Sequence, residues 1–373
     1  MRVTVVTTWL PTAVVPSSGS FVVRDCRAIA EAGQEVRIIH LVPPHQDDGT
    51  RRVTIDGLPV IRIPMRPANP ASVARAAVAL PRLIDGEVLH SMAMSSLLPL
   101  GGLKAAGILR IPWVHTEHWS GLTNPETLTP ALKAGSIVVD AALKRPDIVT
   151  AVCEYLAEPI RRLRAAAPTV IVPCIVDPQG LVPRRHETGQ DDAALRLITV
   201  GGLVERKDPL ASLEITAELV SRGVDATLVL VGEGPLREAV EARAAQPDLA
   251  GRVRLTGILG AQEVRAELAK ADVFIGPTRG DNFFVSAAEA IVAGRPVVVS
   301  DAGGQAEYVT EGNGAILPVD AAPQQWATAV TALAERLSGA TAADIAATIG
   351  ERFSTPVVGA AYRAVHERAR AGA

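Results

Sequence analysis

The sequence predicts an α/β protein built from two doubly wound parallel-sheet halves. Its 373 residues exceed what one hydrophobic core usually serves and suit two domains of roughly 150–200 residues each. Short β-branched runs alternate with helical stretches, the pattern of strands buried on both faces beneath crossover helices. After a polar stretch at residues 183–192 the alternation starts afresh. The expected division is 1–185 for the first domain and 193–350 for the second.

Residues 3–7 are continuous and β-branched, as in a strand buried on both faces. A loop at 9–20, a helix at 21–32 ended by Gly33, and a strand at 35–41 make the first strand–helix–strand unit. Further strands are expected at 60–63, 86–90, 113–115, 148–151 and 169–172. The stretch 183–192, rich in polar residues with one glycine, reads as a linker. Beyond it come strands at 196–200, 226–231, 253–255, 272–275, 296–300 and 315–317, with helices at 208–222, 236–245 and 261–269. Residues 283–293 contain neither Gly nor Pro and stop at Gly294, Arg295 and Pro296, a helix with a standard stop signal. Residues 353–373 have helical periodicity. No close internal repeat is visible, so the halves are expected to be alike in architecture only.

Hydrophobic residues make up 48% of the chain and charged residues 21%, with a net charge of -3. That balance shows neither a nucleic-acid footprint nor a polyacidic tail. The pairs Arg161–Arg162 and Arg184–Arg185 read as solvated loops or helix faces, with contact to an anionic surface as the alternative. Cys26, Cys153 and Cys174 lie far apart without metal-ligand spacing and read as reduced, structural thiols. The apolar N-terminal run is short and broken by threonines, which suits a buried strand better than a signal segment. No apolar stretch reaches about 18 residues, so a spanning helix is not expected. A cytoplasmic protein follows, with peripheral contact to the inner face of a membrane left open.

Open parallel sheets bind ligands beyond the carboxyl ends of their strands. With two facing sheets, the expected site is the cleft between the domains. At the start of the 283–293 helix, Asp281 and Glu289 would lie roughly 12 Å apart if all intervening residues were helical, too far to share a proton or a small metal. Either they hold two parts of one ligand around an anion site made by helix-start N–H groups, or they are an ordinary N-cap and a solvated helix acid. Gly201 and Gly202 follow a strand and lead to Arg206 and Lys207, which could neutralise a diphosphate leaving group or simply be solvated cations after a turn. Residues 232–235 repeat the glycine-after-strand pattern more weakly. Residues 257–260, including Leu259, could wall a nucleobase or serve only as a turn. In the first domain His115, Glu117 and His118 gather at a strand end, but no third and fourth ligands suit a metal there, and none is expected. His90 could approach the same region or be structural. Ser17 to Ser20, around Gly19, could offer N–H groups to an anion or be an ordinary surface loop.

These stretches, in this order, resemble the family-four glycosyltransferases of GT-B architecture. The second domain carries VGGLVERKDPL, LVGEGPLRE, VRLTGILG, ADVFIGPTRGDNFFVSAAEAIVAGRPVVVSDAGG and NGAILPV. The first carries TTWLP, SSGSFVVRDCRAIAEAGQEVRII, VLHSMA and IPWVHTEHWSGL. The resemblance covers nearly the whole chain and implies two Rossmann-like domains facing a cleft, with 354–373 crossing back to complete the first. It implies a donor that is a UDP- or GDP-linked sugar, an acceptor that is a sugar, glycolipid or small metabolite, no bound cofactor or metal, and retention of anomeric configuration. By the same resemblance Asp281 would bind hydroxyls of the transferred sugar and Glu289 the ribose. Lys207 with Arg206 would hold the diphosphate, assisted by backbone N–H groups at Phe283 and Phe284, with Val285 alongside. His118 would contact the donor sugar near its reacting carbon, and Gly19 would lie near donor phosphate and acceptor. Gly202 and Leu259 complete the expected donor contacts.

Five positions depart from the family pattern: Asp281 stands where Glu is usual, Phe284 where Gly is common, Gly202 where Arg is often found, and Cys174–Ile175 where Asn–Gly is usual. A sugar-nucleotide epimerase and a catalytically silent nucleotide-sugar-binding protein are the rival readings of the same architecture.

Overall fold

The computed structural model describes residues 1–124, 130–165, 167–178, 180–189 and 194–372, with the backbone alone for 130–136. Two compact units form: Met1–Ile175 with Phe353–Ala373, and Val176–Arg352.

The first unit runs β1 (Arg2–Thr7), α1 (Ser20–Glu31), β2 (Glu35–Val42), β3 (Arg52–Ile55), β4 (Leu58–Pro64), α2 (Pro70–Ala79), β5 (Val88–Met92), α3 (Leu97–Ala105), β6 (Trp113–Glu117), α4 (Pro130–Leu143), β7 (Ile148–Ala151), α5 (Glu154–Arg164) and β8 (Thr169–Ile171). Its strands pair in the order β3-β4-β2-β1-β5-β6-β7-β8, all parallel except β3 against β4. The second unit runs β9 (Leu195–Val200), α6 (Pro209–Ser221), β10 (Ala226–Val231), α7 (Arg237–Ala244), β11 (Val253–Gly257), α8 (Ala261–Lys270), β12 (Val273–Gly276), α9 (Val285–Val292), β13 (Val297–Ser300), β14 (Gly314–Leu317), α10 (Pro323–Arg336) and α11 (Ala342–Ala347). This sheet is parallel throughout, ordered β11-β10-β9-β12-β13-β14. Helix α12 (Thr355–Ala371) then belongs to the first unit.

The β-branched runs form strands because both faces of each sheet are covered. Val3, Val5, Ile38, Val88 and Val114 pack with Val22, Cys26 and Ile29 of α1 and with Val358, Tyr362 and Val365 of α12. Burying each such side chain is worth roughly 1.5–3 kcal/mol before entropy is subtracted. α1 and α12 touch almost backbone to backbone, since a Cβ on Gly359 would stand 2.4 Å from the Ala28 carbonyl oxygen.

Several expectations need correction. β3 was not foreseen, although Asp56–Gly57 between two β-branched runs, both residues at positive φ, is the signature of a tight hairpin. The helix expected at 283–293 begins only at Val285, because Phe284 takes the left-handed conformation (φ 58°, ψ 60°) and caps it from outside. The boundary falls after Ile175 rather than at 185. Within the expected linker, residues 185–188 form a 3-10 turn tied to the second unit, while Gln190, Asp191 and Asp192 lie outside the described residues. Arg184 and Arg185 are not solvated. Arg184 donates to the carbonyls of Leu337 and Ala340 at 2.5 and 2.6 Å, and Arg185 pairs with Asp272 at 2.6 Å. Arg161 and Arg162 do lie on a helix face, paired with Glu154 and Glu158.

Candidate active site

In the second unit, neighbouring strands β9 and β12 bring their carboxyl ends together, and with them two distant loops. The loop after β9 carries Arg206 and Lys207; the loop after β12 carries Asp281. Lys207 Nζ and Arg206 both converge on Asp281 Oδ2, the latter at 3.1 Å. The loops are laced further by Arg206 donating to the Gly280 carbonyl at 2.6 Å and by the Arg279 N–H donating to the Arg206 carbonyl at 2.8 Å. Asp281 also accepts the Phe284 N–H on Oδ1 at 3.0 Å. Burial would raise the Asp281 carboxyl, but the charges of Lys207 and Arg206, with these hydrogen bonds, hold it below its ordinary value. Burial outweighs Asp281 at Lys207 and lowers the ammonium below its usual range.

Phe284 defines the inner wall of the site. Its buried ring packs edge-on against Phe274, with centroids 5.7 Å apart, and Lys207 Nζ lies 4.0 Å from its centroid, a cation–π distance. Gly201, Gly202, Lys207 and Phe284 line a narrow crevice. Gly276 is required beneath the ring, because a Cβ there would meet Phe284 at 2.6 Å. The Phe284 N–H, expected to face a phosphate, is taken by Asp281. The N–H groups of Val285 and Ser286, in the first turn of α9, have no acceptor within the helix itself. Tyr308 donates to the carbonyls of Phe283 and Phe284 at 2.9 and 2.8 Å and fixes the turn.

Glu289 is half-buried in the middle of α9; only residues from Val285 onward are helical, so the all-helical spacing from Asp281 does not apply. Leu259 is half-buried at the carboxyl end of β11. The weak glycine pair at 232–234 has a packing role. A Cβ on Gly232 would stand 1.9 Å from the Gly201 carbonyl oxygen, and one on Gly234 would stand 2.3 Å from that of Leu203. Two loops can therefore zip together, Leu203 N–H donating to the Glu233 carbonyl at 2.9 Å.

In the first unit, the strand-end histidines take separate tasks. His115 and His90 are fully buried. His115 lies 2.8 Å from Ser91 Oγ and 3.1 Å from Glu117; His90 sits 2.6 Å from Thr116 Oγ1 and 3.0 Å from His366. Both belong to the core. His118 instead lies against α1: its ring is 4.7 Å from that of Phe21, and its Nε2 is 3.3 Å from Asp25 Oδ2. Glu117 accepts the N–H groups of His118 and Trp119 at 2.8 and 2.6 Å. Gly19 begins α1 in the left-handed conformation, where a Cβ would collide with the Trp9 carbonyl at 2.3 Å; it lets the 17–20 loop pack against the end of β1. Asp25 escaped the sequence reading. The signal was an acid within the buried stripe of an amphipathic helix, among Val22, Cys26 and Ile29.

Among the described residues no group of three or more His, Cys, Asp or Glu is arranged to hold a metal, and no helix is long and apolar enough to cross a membrane. The three cysteines form no disulfide.

Residues 18–197 match the family model described as glycosyl transferase 4-like domain, and residues 194–336 match that for glycosyl transferases group 1. The 2-deoxystreptamine glucosyltransferase of Streptomyces kanamyceticus is 29% identical over 56% of this chain and 58% of its own length. Several curated relatives, including that one, are thus matched over only about half their length. The GDP-mannose-dependent alpha-mannosyltransferase of Mycolicibacterium smegmatis is 29% identical over 80% of both chains. Sucrose-phosphate synthase from Thermosynechococcus elongatus superposes with a TM-score of 0.78 at 18% identity, over 100% of each chain, a likeness of fold.

Proposed function

The chain belongs to the glycosyl transferases that these two models describe, and from that premise we propose that it moves a sugar from a nucleotide-diphospho-sugar to an acceptor hydroxyl. The observation that carries this reading is the convergence of Lys207 and Arg206 at the start of α9. Departure of the nucleotide diphosphate is the step that develops most charge. Two fixed cations and the first N–H groups of a helix offset it without reorganisation. Before the donor arrives, Asp281 acts as their counter-ion; on donor binding the diphosphate takes over part of that pairing, and Asp281 turns to the hydroxyls of the sugar. Glu289 holds the ribose, Leu259 and Gly202 border the nucleoside and phosphate, and His118 contacts the transferred sugar.

The transfer retains anomeric configuration: a leaving phosphate oxygen accepts the acceptor's proton while the sugar passes across one face. Because the cationic pair neutralises the diphosphate, transfer proceeds in the presence of a chelator. The donor is GDP- or UDP-linked, in keeping with the GDP-mannose named for one relative. The acceptor is a sugar, a glycolipid or a small metabolite. Exposed Val78 and Ile108, with exposed Arg75, Arg82 and Arg110 close by in sequence, support peripheral contact with an anionic membrane face. Cysteines without disulfides suit a cytoplasmic location.

The test is transfer from GDP- and UDP-sugars by the full chain, with the anomer of the product read by NMR. Lys207→Met should lower kcat/KM by about 10²–10³-fold. Unchanged transfer in both Lys207→Met and His118→Ala would sink the assignment.

A further inference from the structure

We propose that Asp25 is a positioning residue that holds the His118 imidazole in one orientation with its proton on Nε2. The proposal bears on catalysis through the reading of His118 as a donor-contacting residue, but the juxtaposition is independent of it. Phe21 and Asp25 are four residues apart on α1 and therefore share one helix face. They grip the imidazole from that face, Phe21 by its ring at 4.7 Å and Asp25 by Oδ2 at 3.3 Å from Nε2. Both partners of the pair are almost closed to solvent, with side chains 9% and 3% exposed. A carboxylate oxygen offers only lone pairs, so this approach is attractive only when Nε2 carries hydrogen. With the other tautomer two lone-pair-bearing atoms would stand 3.3 Å apart inside the protein; with hydrogen on Nε2 the approach is a buried polar contact at the outer limit of hydrogen bonding, short of a formed hydrogen bond. The backbone end of His118 is held as well, by Glu117.

A third group completes the arrangement. Tyr362 of α12 faces Asp25 and Thr116, and burial first, then the Asp25 charge, push its phenol well above the ordinary value. It stays protonated, so Asp25 lies between a phenol and an imidazole. The result is an acid that orients a histidine from behind, as carboxylates that hydrogen-bond metal-bound histidines do elsewhere.

Histidine-selective nitrogen-15 NMR on the full chain at alkaline pH tests this directly, with the His118 signal assigned by its loss in His118→Gln. The wild-type protein should show the Nε2-protonated pattern. Asp25→Asn should convert it to a mixture or to the other tautomer, Asp25→Glu should restore it, and kcat for transfer should fall roughly 10–100-fold in Asp25→Asn with a smaller change in donor KM. A wild-type imidazole protonated on Nδ1, or a tautomer indifferent to Asp25→Asn, overturns the proposal. Should Asp25→Asn not fold, the wild-type spectrum alone decides. If the tautomer responds as expected while His118→Gln transfers normally, the positioning stands and it is the donor-contact reading of His118 that fails.

Discussion

Replacing Phe284 separates two opposed contributions at the wall of the site. The residue is held at φ 58°, a left-handed conformation that raises the energy of a residue bearing a Cβ by about 1–2 kcal/mol. The residue is 2% exposed, and its ring packs on Phe274 and lies beneath Lys207; truncating a buried Phe to Ala usually destabilises by about 3–5 kcal/mol. Phe284→Ala loses the ring and keeps the strain, so the full 3–5 kcal/mol should be lost. Phe284→Gly loses the ring but relieves the strain, which leaves a loss of about 2–4 kcal/mol. Glycine should therefore be the milder substitution by about 1 kcal/mol, the reverse of the order expected in ordinary helix or strand. Urea titration of the two variants, following the transition of the second unit, measures the difference. An alanine variant as stable as the glycine variant would refute the strain argument, and two variants as stable as the parent would refute the account of the ring.

Acid should weaken the first unit through its buried histidines. Burial lowers His366 to about 3, and burial together with the His366 charge lowers His90 well below its ordinary value. In the unfolded chain each protonates near 6.5, so the unfolded state binds more protons below that pH and stability falls as pH falls from about 6.5 toward 3. His366 alone should remove about 2 kcal/mol by pH 5; denaturation midpoints across pH should show the slope, and His366→Gln should flatten it. Gly359→Ala offers a test of the α1–α12 contact. In an open helix the change stabilises by about 1 kcal/mol, but here the new Cβ meets the Ala28 carbonyl, and a loss of about 1–3 kcal/mol is expected. Thermal unfolding that shows no loss would mean that the helices are not in backbone contact.

The parallel strands were legible because strands buried on both faces need apolar, β-branched side chains at every position, a pattern visible without knowledge of their neighbours. β3 escaped because RVTI alternates over only four residues, and its clearest mark, Asp56–Gly57, lies in the turn and not in the strand. The members of the second-unit site could be named but not joined. Lys207 meets Asp281 only because β12 lies beside β9 in the sheet, an order that local sequence does not state. The left-handed turn at Phe284 was hidden for a different reason: nothing intrinsic to phenylalanine favours it, and tertiary packing against Phe274 and Gly276 imposes it. Asp25 was legible in principle, since an acid on the apolar stripe of α1 requires a buried partner, but which partner depends on where β6 ends.

The return of α12 to the first unit sets an order on folding during synthesis. Residues 176–352 leave the ribosome complete, with all six strands of their sheet, while the first unit, made earlier, still lacks the helix that covers α1. Its apolar positions against Val358, Tyr362 and Val365 stay open until the segment that follows the second unit has been made. The half of the chain translated first is thus the half finished last, and it is the one for which a chaperone would have the longer wait.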